Sequence, residues 1–364
     1  MTTLVTLLHI YVFVRLDALP LRRNLLSRKA LIAAAVALWL LFLLGRLYGG
    51  NEFGFLTIAL EVAGMHWMAS VFILAVALFA SDLVCWIGVL FGRRLARIRT
   101  LGAVLGLGLI LFAHAQGLLP PGIERYEVTI DRLPASLDGT TIAVMTDLHV
   151  GEMMVGSEWL AARVDQVLAL EPDLIALVGD LFERGSDPDQ MVPIMQRLSA
   201  PLGVWAVRGN HDSLRAGRRN VAGEILAGAK IRLLENEWVN LAEGLLLAGI
   251  DDLTSSRRRQ GKGETNLKRT LADRPDAATL FLSHTPWLTE GAAAAGVDIM
   301  FSGHTHNGQI WPFNYLVRTR YPLSQGRYEV DGMTLLVSRG TGTWGPRMRL
   351  WAGNEISHVT LRAR

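Results

Sequence analysis

Residues 299–306 read IMFSGHTH, an apolar run of the kind that forms a buried strand, followed at once by two histidines. Four further apolar runs also end in side chains that can bind a metal ion. They are residues 141–149 (TIAVMTDLH), 174–180 (LIALVGD), 204–212 (VWAVRGNHD) and 280–284 (LFLSH). Ligands that follow the strands of an α/β sheet meet in one crevice at the sheet edge. These five stretches therefore predict a single site.

The order of the remaining runs indicates the fold class. Helical patterns at residues 157–170 and 188–198 lie between runs rich in β-forming residues. Strands that alternate with helices predict a layered α/β architecture, in which sheets are covered by helices. The predicted strands are residues 126–130, 141–145, 174–178, 204–207, 245–248, 280–282, 299–301, 335–337 and 356–361.

The side chains at the strand ends indicate divalent metal ions. The candidate ligands are Asp147, His149, Asp180, Asn210, His284, His304 and His306. Imidazole with carboxylate suits manganese, iron or zinc, and the absence of thiolates excludes a cysteine-based structural zinc site. Seven ligands with one shared carboxylate are too many for one ion and suit two ions about 3.5–4 Å apart. Gly179, Gly209 and Gly303 are expected to let the backbone turn sharply beside these ligands.

Each candidate ligand has an ordinary structural interpretation when it is taken alone. Asp147 by itself is typical of a turn residue, and His284 by itself is typical of a hydrogen-bonded polar group. Five such motifs in a fixed order favour the metal site instead.

The order D-x-H, G-D, G-N-H-D, a lone His and G-H-x-H resembles the calcineurin-like metallophosphoesterase superfamily over about residues 125–364. The strings GIDD (249–252) and SGHTHNGQI (302–310) are similar to a bacterial membrane-associated branch that includes UDP-2,3-diacylglucosamine pyrophosphatase-like proteins. That branch usually has Gly at the position of Asn307. The resemblance implies a layered β-sandwich metallophosphoesterase domain flanked by helices.

The resemblance also implies a role for each candidate residue. One metal would be bound by Asp147, His149 and His306, the other by Asn210, His284 and His304, with Asp180 between them. His211 would stabilise the transition state or protonate the leaving group as a general acid. Asp212 would either orient that imidazole or serve in a solvated loop or helix cap.

The first third of the chain is a membrane region by composition. Of all residues, 51% are hydrophobic, and the excess lies in residues 1–120. Runs at 30–47, 67–91 and 101–119 approach the length of roughly 20 residues that a bilayer core requires. A shorter run at 4–14 either spans with its flanks or lies at the interface. The sequence Pro-Pro-Gly at 120–122 then separates a transmembrane region (1–120) from a metallophosphoesterase domain (121–364).

Charge predicts the orientation of the spans. The segments 15–29 and 93–99 hold five and four basic residues, whereas 49–66, interpreted as a loop, holds none. Because cytoplasmic loops are enriched in Lys and Arg, residues after 120 are expected outside the cytoplasm of a bacterial inner membrane. Residues 1–120 have ten basic and four acidic side chains, so their +6 exceeds the +3 of the whole chain. The net positive charge thus comes from segments beside the membrane and does not indicate a nucleic-acid partner.

Three functions fit these observations. The leading hypothesis is a phosphodiesterase or pyrophosphatase that acts on a phospholipid or lipid-linked phosphate ester. A second hypothesis keeps the enzyme and replaces the substrate with soluble nucleotides or phosphoproteins. A third is a non-catalytic membrane factor on the same scaffold. Such a protein is expected to have lost some of its metal ligands, and all seven candidate ligands are present here.

Overall fold

A computed structural model of the chain describes residues 2–48, 54–87, 95–151, 155–183, 185–212, 220–254 and 263–364. The chain divides into two units. The helical unit comprises Met1–Leu119 and Gly345–Leu350, and the sheet unit comprises Pro120–Trp344 and Trp351–Arg364.

The helical unit is built mainly from long apolar helices. Its elements are α1 (Thr2–Asp17), α2 (Pro20–Leu25), α3 (Arg28–Tyr48), α4 (Phe55–Ile87) and α5 (Leu95–Leu118). Three of them are long and apolar enough to cross a membrane, over Arg28–Tyr48, Phe55–Trp86 and Ala96–Leu118. The three predicted spans are therefore confirmed as helices of sufficient length. Helix α1, with 16 residues, covers the short run at 4–14, and its relation to the bilayer stays a prediction.

The predicted loop at 49–66 is wrong over most of its length, because α4 already begins at Phe55. Half of residues 55–66 are Leu, Ala, Met or Glu, which favour helix, so Glu61 does not interrupt it. Gly64 lies so close to α3 that a Cβ there would be 3.3 Å from the carbonyl oxygen of Leu41. Residues 49–53 and 88–94, which include the predicted end of the second span and part of the basic segment 93–99, lie outside the described residues.

Ion pairs gather four helix ends on one side of the helical unit. Asp82, near the end of α4, accepts from Arg15 of α1 at 2.5 Å and from Arg99 of α5 at 3.0 Å. Arg28, at the start of α3, lies 3.3 Å from Asp17 at the end of α1. The C-terminal end of α5 therefore lies at the opposite side.

The segment Gly345–Leu350 belongs to the helical unit, although the predicted division placed it with the second domain. Its backbone explains why: the Arg347 N–H donates to His66 Nε2 at 3.2 Å, and the Arg349 N–H donates to the Ala113 carbonyl at 2.9 Å. A short segment that is distant in sequence but hydrogen-bonded to two helices leaves no signal in local composition.

The sheet unit contains two six-stranded sheets, in the orders β1-β12-β2-β3-β4-β5 and β10-β11-β9-β8-β7-β6. The strands are β1 (Gly122–Ile130), β2 (Thr141–Met145), β3 (Leu174–Val178), β4 (Val204–Val207), β5 (Arg232–Leu233), β6 (Glu237–Ala242), β7 (Leu245–Gly249), β8 (Ala278–Leu282), β9 (Ile299–Ser302), β10 (Gly326–Val330), β11 (Met333–Val337) and β12 (Glu355–Ala363). The helices are α6 (Ser157–Leu168), α7 (Pro188–Met195), α8 (Val221–Gly228), α9 (Gly263–Leu271), α10 (Thr289–Ala294) and α11 (Phe313–Arg320).

Side-chain alternation along the strands produces four layers. In β3, Ile175 and Leu177 pack toward α6, α7 and α8, while Leu174 and Ala176 pack into the apolar core between the two sheets. Phe281 of β8 faces the outer core beside α9 and α10. The predicted layered β-sandwich flanked by helices is thus confirmed.

The sequence pattern missed the short strands β5, β6 and β10. Two of them, β6 and β10, are the edge strands of the second sheet, and β5 is one edge of the first sheet, whose other edge is the predicted strand β1. Edge strands are partly solvated and carry polar side chains such as Asn240 and Glu329, so they lack an apolar run. The strands that precede the predicted ligands are all interior to their sheets.

Candidate metal centre

The candidate ligands follow parallel strands of both sheets. In the first sheet β2, β3 and β4 run parallel, and in the second β8 and β9 do so. Asp147 and His149 follow β2, Asp180 follows β3, Asn210 follows β4, His284 follows β8, and His304 and His306 follow β9. The loops after both sets of strands therefore meet in one buried centre.

Asp147, His149 and His306 form the first group of ligand atoms. His306 Nε2 lies 3.3 Å from Asp147 Oδ1 and 3.2 Å from His149 Nε2. One ligand atom from each residue lies within 4.8 Å of the others, and all three residues are buried. This is the set predicted for one metal ion.

Asp180, His284 and His304 form the second group. His284 Nε2 lies 3.2 Å from Asp180 Oδ2 and 3.3 Å from His304 Nδ1. Asp180 Oδ2 is also 3.8 Å from His149 Nε2 of the first group. The Asp180 carboxylate is thus placed between the two groups.

Asn210 provides the clearest test of whether a cation fits here. Its two sequence neighbours both contact Asp180: the His211 N–H donates to Asp180 Oδ1 at 2.8 Å, and Gly209 leaves no room for a Cβ beside that carboxylate. Asn210 Oδ1 is buried and accepts no hydrogen bond from any residue that the structure describes. A buried acceptor without a donor costs about 1–3 kcal/mol, which coordination of a cation would offset. The donor set therefore fits divalent metal ions.

Three of the imidazoles have their second ring nitrogen fixed from outside the centre. His149 Nδ1 lies 2.7 Å from Glu183, His284 Nδ1 lies 2.9 Å from the Val178 carbonyl, and His304 Nε2 lies 2.8 Å from the Tyr321 hydroxyl. Such partners set the tautomer and direct the other nitrogen toward a metal.

The backbone of the centre is strained at five of the seven candidate ligands. Positive φ values occur at Asp147 (53°), His149 (48°), Asp180 (53°), His304 (70°) and His306 (47°). Non-glycine residues in this region cost of order 1–3 kcal/mol each and persist where surrounding structure holds them at a functional site.

Of the three glycines predicted to turn sharply, only Gly179 has a positive φ, at 77°. The prediction is wrong for Gly209 and Gly303, where close approach is the reason for glycine. A Cβ on Gly303 would overlap the Asp147 carboxylate, as one on Gly209 would overlap Asp180.

Electrostatics favour a cation. Burial opposes ionisation, but His306 lowers the pKa of Asp147 and His284 lowers the pKa of Asp180, both well below the ordinary range. Burial and the neighbouring His284 lower the pKa of His304 to about 4, so that this imidazole is neutral. Burial lowers the pKa of His284, but Asp180 raises it well above its ordinary value, so a bound metal ion would take the place of the proton on that imidazole.

Glu183 is a site residue that the sequence reasoning missed. Its Oε1 lies 2.7 Å from His149 Nδ1 and 2.7 Å from His211 Nδ1. Although burial acts in the opposite direction, the two histidines lower the pKa of Glu183 to about 2. Likewise against the effect of burial, Glu183 raises the pKa of His211 to about 9. The only sequence signal is a carboxylate three residues after Asp180. Its contact with two histidines from different loops exists only in the fold.

Asp212 has neither of the roles left open for it. Its buried carboxylate accepts from the backbone N–H groups of Leu181, Phe182 and Gly209 at 3.0–3.1 Å. It therefore ties together the loops after β3 and β4, while the His211 imidazole is oriented by Glu183.

Two layered sheets with histidine and carboxylate ligands at their strand ends define a metallophosphoesterase domain. The sequence profile of the calcineurin-like phosphoesterase family matches residues 140–308. The chain is 30% identical over 250 residues to an uncharacterized metallophosphoesterase of Aquifex aeolicus, covering 66% of this chain and 92% of that protein. The chain therefore belongs to the calcineurin-like phosphoesterase family, whose members depend on a dinuclear metal centre.

Other relatives share the domain. A transmembrane protein with metallophosphoesterase domain from Bos taurus is 32% identical over 258 residues, covering 67% of this chain and 58% of that protein. An uncharacterized metallophosphoesterase of Helicobacter pylori (strain J99) is 29% identical over 261 residues, covering 70% of this chain and 68% of that protein. The chain thus spans somewhat more than half the length of the bovine relative.

Replacing Glu183 with glutamine should lower turnover by about 10–100-fold, because the change loosens His149 and removes the negative charge beside His211. Since that charge raises the pKa of His211, its loss should also move any alkaline limb of the pH–rate profile to lower pH. Full pH profiles of both proteins would measure this. The exposed Glu158→Gln variant is the matched control, and a profile identical to wild type in Glu183→Gln would contradict the role of Glu183.

Proposed function

We propose that the protein is a membrane-anchored, dinuclear metal-dependent phosphoesterase. The observation that carries the proposal is the convergence of six polar side chains from both sheets on one buried centre, together with the buried Asn210 Oδ1 that lacks a hydrogen bond between two residues that contact Asp180. Asp147, His149 and His306 would hold one ion and Asn210, His284 and His304 the other, with Asp180 shared. When bound, two such ions polarise a phosphate ester and lower the pKa of water.

The residues around the centre supply the acid for the reaction. Glu183 holds His211 Nδ1 and keeps the imidazole protonated at neutral pH, which leaves the Nε2–H to donate. About a quarter of the His211 side chain is exposed (26%), so a substrate can reach it. We assign His211 as the general acid that protonates the departing ester oxygen.

The proposed substrate is a phospholipid or another lipid-linked phosphate ester or pyrophosphate. Helices able to span a bilayer support this, since α5 ends at Leu118 and β1 begins at Gly122. Further support comes from the resemblance of residues 249–252 and 302–310 to membrane-associated phosphoesterases that act on a lipid pyrophosphate.

The direct test uses the full-length protein in phospholipid–detergent micelles. Bis-p-nitrophenyl phosphate with added Mn²⁺ should be hydrolysed, and chelation followed by Mn²⁺, Fe²⁺ or Zn²⁺ should restore the rate. Absence of turnover with every divalent ion would overturn the enzymatic proposal. A panel of phospholipids, lipid pyrophosphates and soluble nucleotides then tests the substrate class, and nucleotide turnover as fast as lipid turnover would overturn the lipid assignment alone.

We further propose that the spans lie in a bacterial inner membrane with the sheet unit outside the cytoplasm. The ion-paired helix ends that carry Arg15, Arg28 and Arg99 would be cytoplasmic, because basic residues favour that side. The C-terminal end of α5 would then be extracytoplasmic.

This orientation predicts a labelling pattern in a Cys85→Ala background, where the only native cysteine is absent. A membrane-impermeant maleimide should label Thr265→Cys in intact spheroplasts, because Thr265 is an exposed residue of the sheet unit. Ser27→Cys, exposed between α2 and α3, should be labelled only after permeabilisation. The reversed pattern would place the sheet unit in the cytoplasm.

A further inference from the structure

Among the described residues of the sheet unit, the large exposed apolar side chains lie on α11 and at two tryptophans, and the ring of Trp351 is 5.0 Å from that of Trp311, two residues before α11. They are Phe313, Tyr315 and Leu316 of α11, together with Trp344 and Trp351, with 43–59% of each residue exposed. Helix α11 buries none of its residues and ends in Arg318 and Arg320. We call α11 with the two tryptophans the apolar surface. Contiguous exposed apolar surface on a soluble unit marks a binding site for a protein or a membrane.

The apolar surface is connected to the metal centre on two sides. The Trp344 ring lies 6.3 Å from the His211 ring, and the Trp344 backbone forms two 3.0 Å hydrogen bonds with the Gln309 side chain, three residues beyond His306. At its other end α11 runs directly into Tyr321, whose hydroxyl lies 2.8 Å from His304 Nε2. The surface therefore borders the centre.

Short stretches of chain join the sheet unit to the helical unit. Only three residues separate the end of α5 at Leu118 from the start of β1 at Gly122, a reach of about 13 Å at full extension. Trp344 and Trp351 directly flank Gly345–Leu350, the segment that belongs to the helical unit. Both tryptophans are therefore sequence neighbours of a segment whose backbone is hydrogen-bonded to α4 and α5.

The composition of the surface suits lipid head groups. Tryptophan and tyrosine concentrate where a membrane meets water, because one part of each ring system is apolar and another is polar. Arginine at that level attracts anionic lipids and extends its guanidinium into the head-group layer. Arg318 and Arg320 supply two such charges at the end of α11.

We propose that the apolar surface inserts into the head-group region of the same bilayer that holds the helices. Inserted, it brings the metal centre to the level at which lipid phosphates lie, so that a lipid ester reaches the centre without leaving the membrane. The inference deepens the proposed function and rests on the proposed membrane location of the helices. It does not require that the protein be shown to be active.

The test measures depth by spin labelling of the full-length protein in vesicles of phosphatidylcholine and phosphatidylglycerol. In the Cys85→Ala background, Leu316→Cys carries the label on the apolar surface, and Thr265→Cys on α9 is the matched exposed control. Accessibility to oxygen, which partitions into lipid, relative to a water-soluble nickel chelate should be about threefold or more higher at Leu316→Cys.

Two outcomes would overturn the proposal. Equal accessibility ratios at the two positions would show that the surface faces water. Dipolar broadening between Leu316→Cys labels would show that a second copy of the chain covers it. Neither result depends on catalysis. Hydrolysis of bis-p-nitrophenyl phosphate, in turn, does not depend on insertion of the apolar surface. Failure of this inference can therefore be distinguished from failure of the proposed function.

Discussion

Replacing Asp180 with asparagine should reduce phosphoesterase activity by about 10³-fold or more and lower the bound metal below two ions per chain. The change keeps the shape of the side chain, and its amide oxygen can still accept from the His211 N–H. It removes the negative charge that lies 3.2 Å from His284 and 3.8 Å from His149. Two cations held close together repel each other, and the carboxylate proposed to be shared would offset that repulsion.

Metal analysis of the purified full-length variant, together with initial rates at saturating Mn²⁺, would measure both effects. Asp276→Asn is the matched control, since the Asp276 side chain is 89% exposed and accepts a hydrogen bond from Arg132. It should retain wild-type metal content and turnover within about twofold. An Asp180→Asn protein with two ions and normal turnover would refute the assignment of Asp180 as the shared ligand.

Replacing His211 with asparagine should lower turnover by about 10²–10⁴-fold while leaving metal content unchanged, because the role proposed for His211 is that of an acid and not of a metal ligand. The loss should depend on the leaving group. An alkyl phosphate ester needs a proton on its departing oxygen, whereas p-nitrophenolate leaves readily without one. The variant should therefore lose far more activity toward alkyl esters than toward p-nitrophenyl esters.

The pH dependence provides a second readout for His211. With Glu183 raising its pKa to about 9, the imidazole is protonated below that pH and loses its proton above it. Wild-type turnover of alkyl esters should fall as the pH rises through about 9, and His211→Asn should lack this limb. His358→Asn is the control, since His358 lies on β12 and bonds to Arg125. An equal loss on both ester classes would instead indicate a role in binding or folding.

Much of the fold and of the centre could be predicted from the sequence, because the ligands directly follow the buried strands. A strand buried on both faces needs a continuous apolar run, as at residues 174–178, and the residue after it must leave the sheet at the crevice. Asp180 and His304 could therefore be placed from position alone. The edge strand β10 could not, because exposed Arg327 and Glu329 alternate with its apolar residues and leave no continuous apolar run.

The missed residues act through contacts that a linear pattern does not contain. Glu183 resembles any loop carboxylate until His149 and His211 approach it from two directions. Tyr321 likewise follows an exposed helix, and the contact of its hydroxyl with His304 connects it to the centre. Asp212 was misjudged for the opposite reason. Its position beside His211 suggested a partner, but its carboxylate accepts from backbone N–H groups instead.

The ligand-bearing loops come from both sheets, three from the first and two from the second. Ions bound among these loops would cross-link the two sheets at one edge of the sandwich. Five ligands also occupy backbone conformations that are unfavourable for their residue types. Chelation would remove both the cross-link and the interactions that hold these backbone conformations. The metal-depleted protein should therefore unfold first at this edge, between the sheets, and only later in the apolar core.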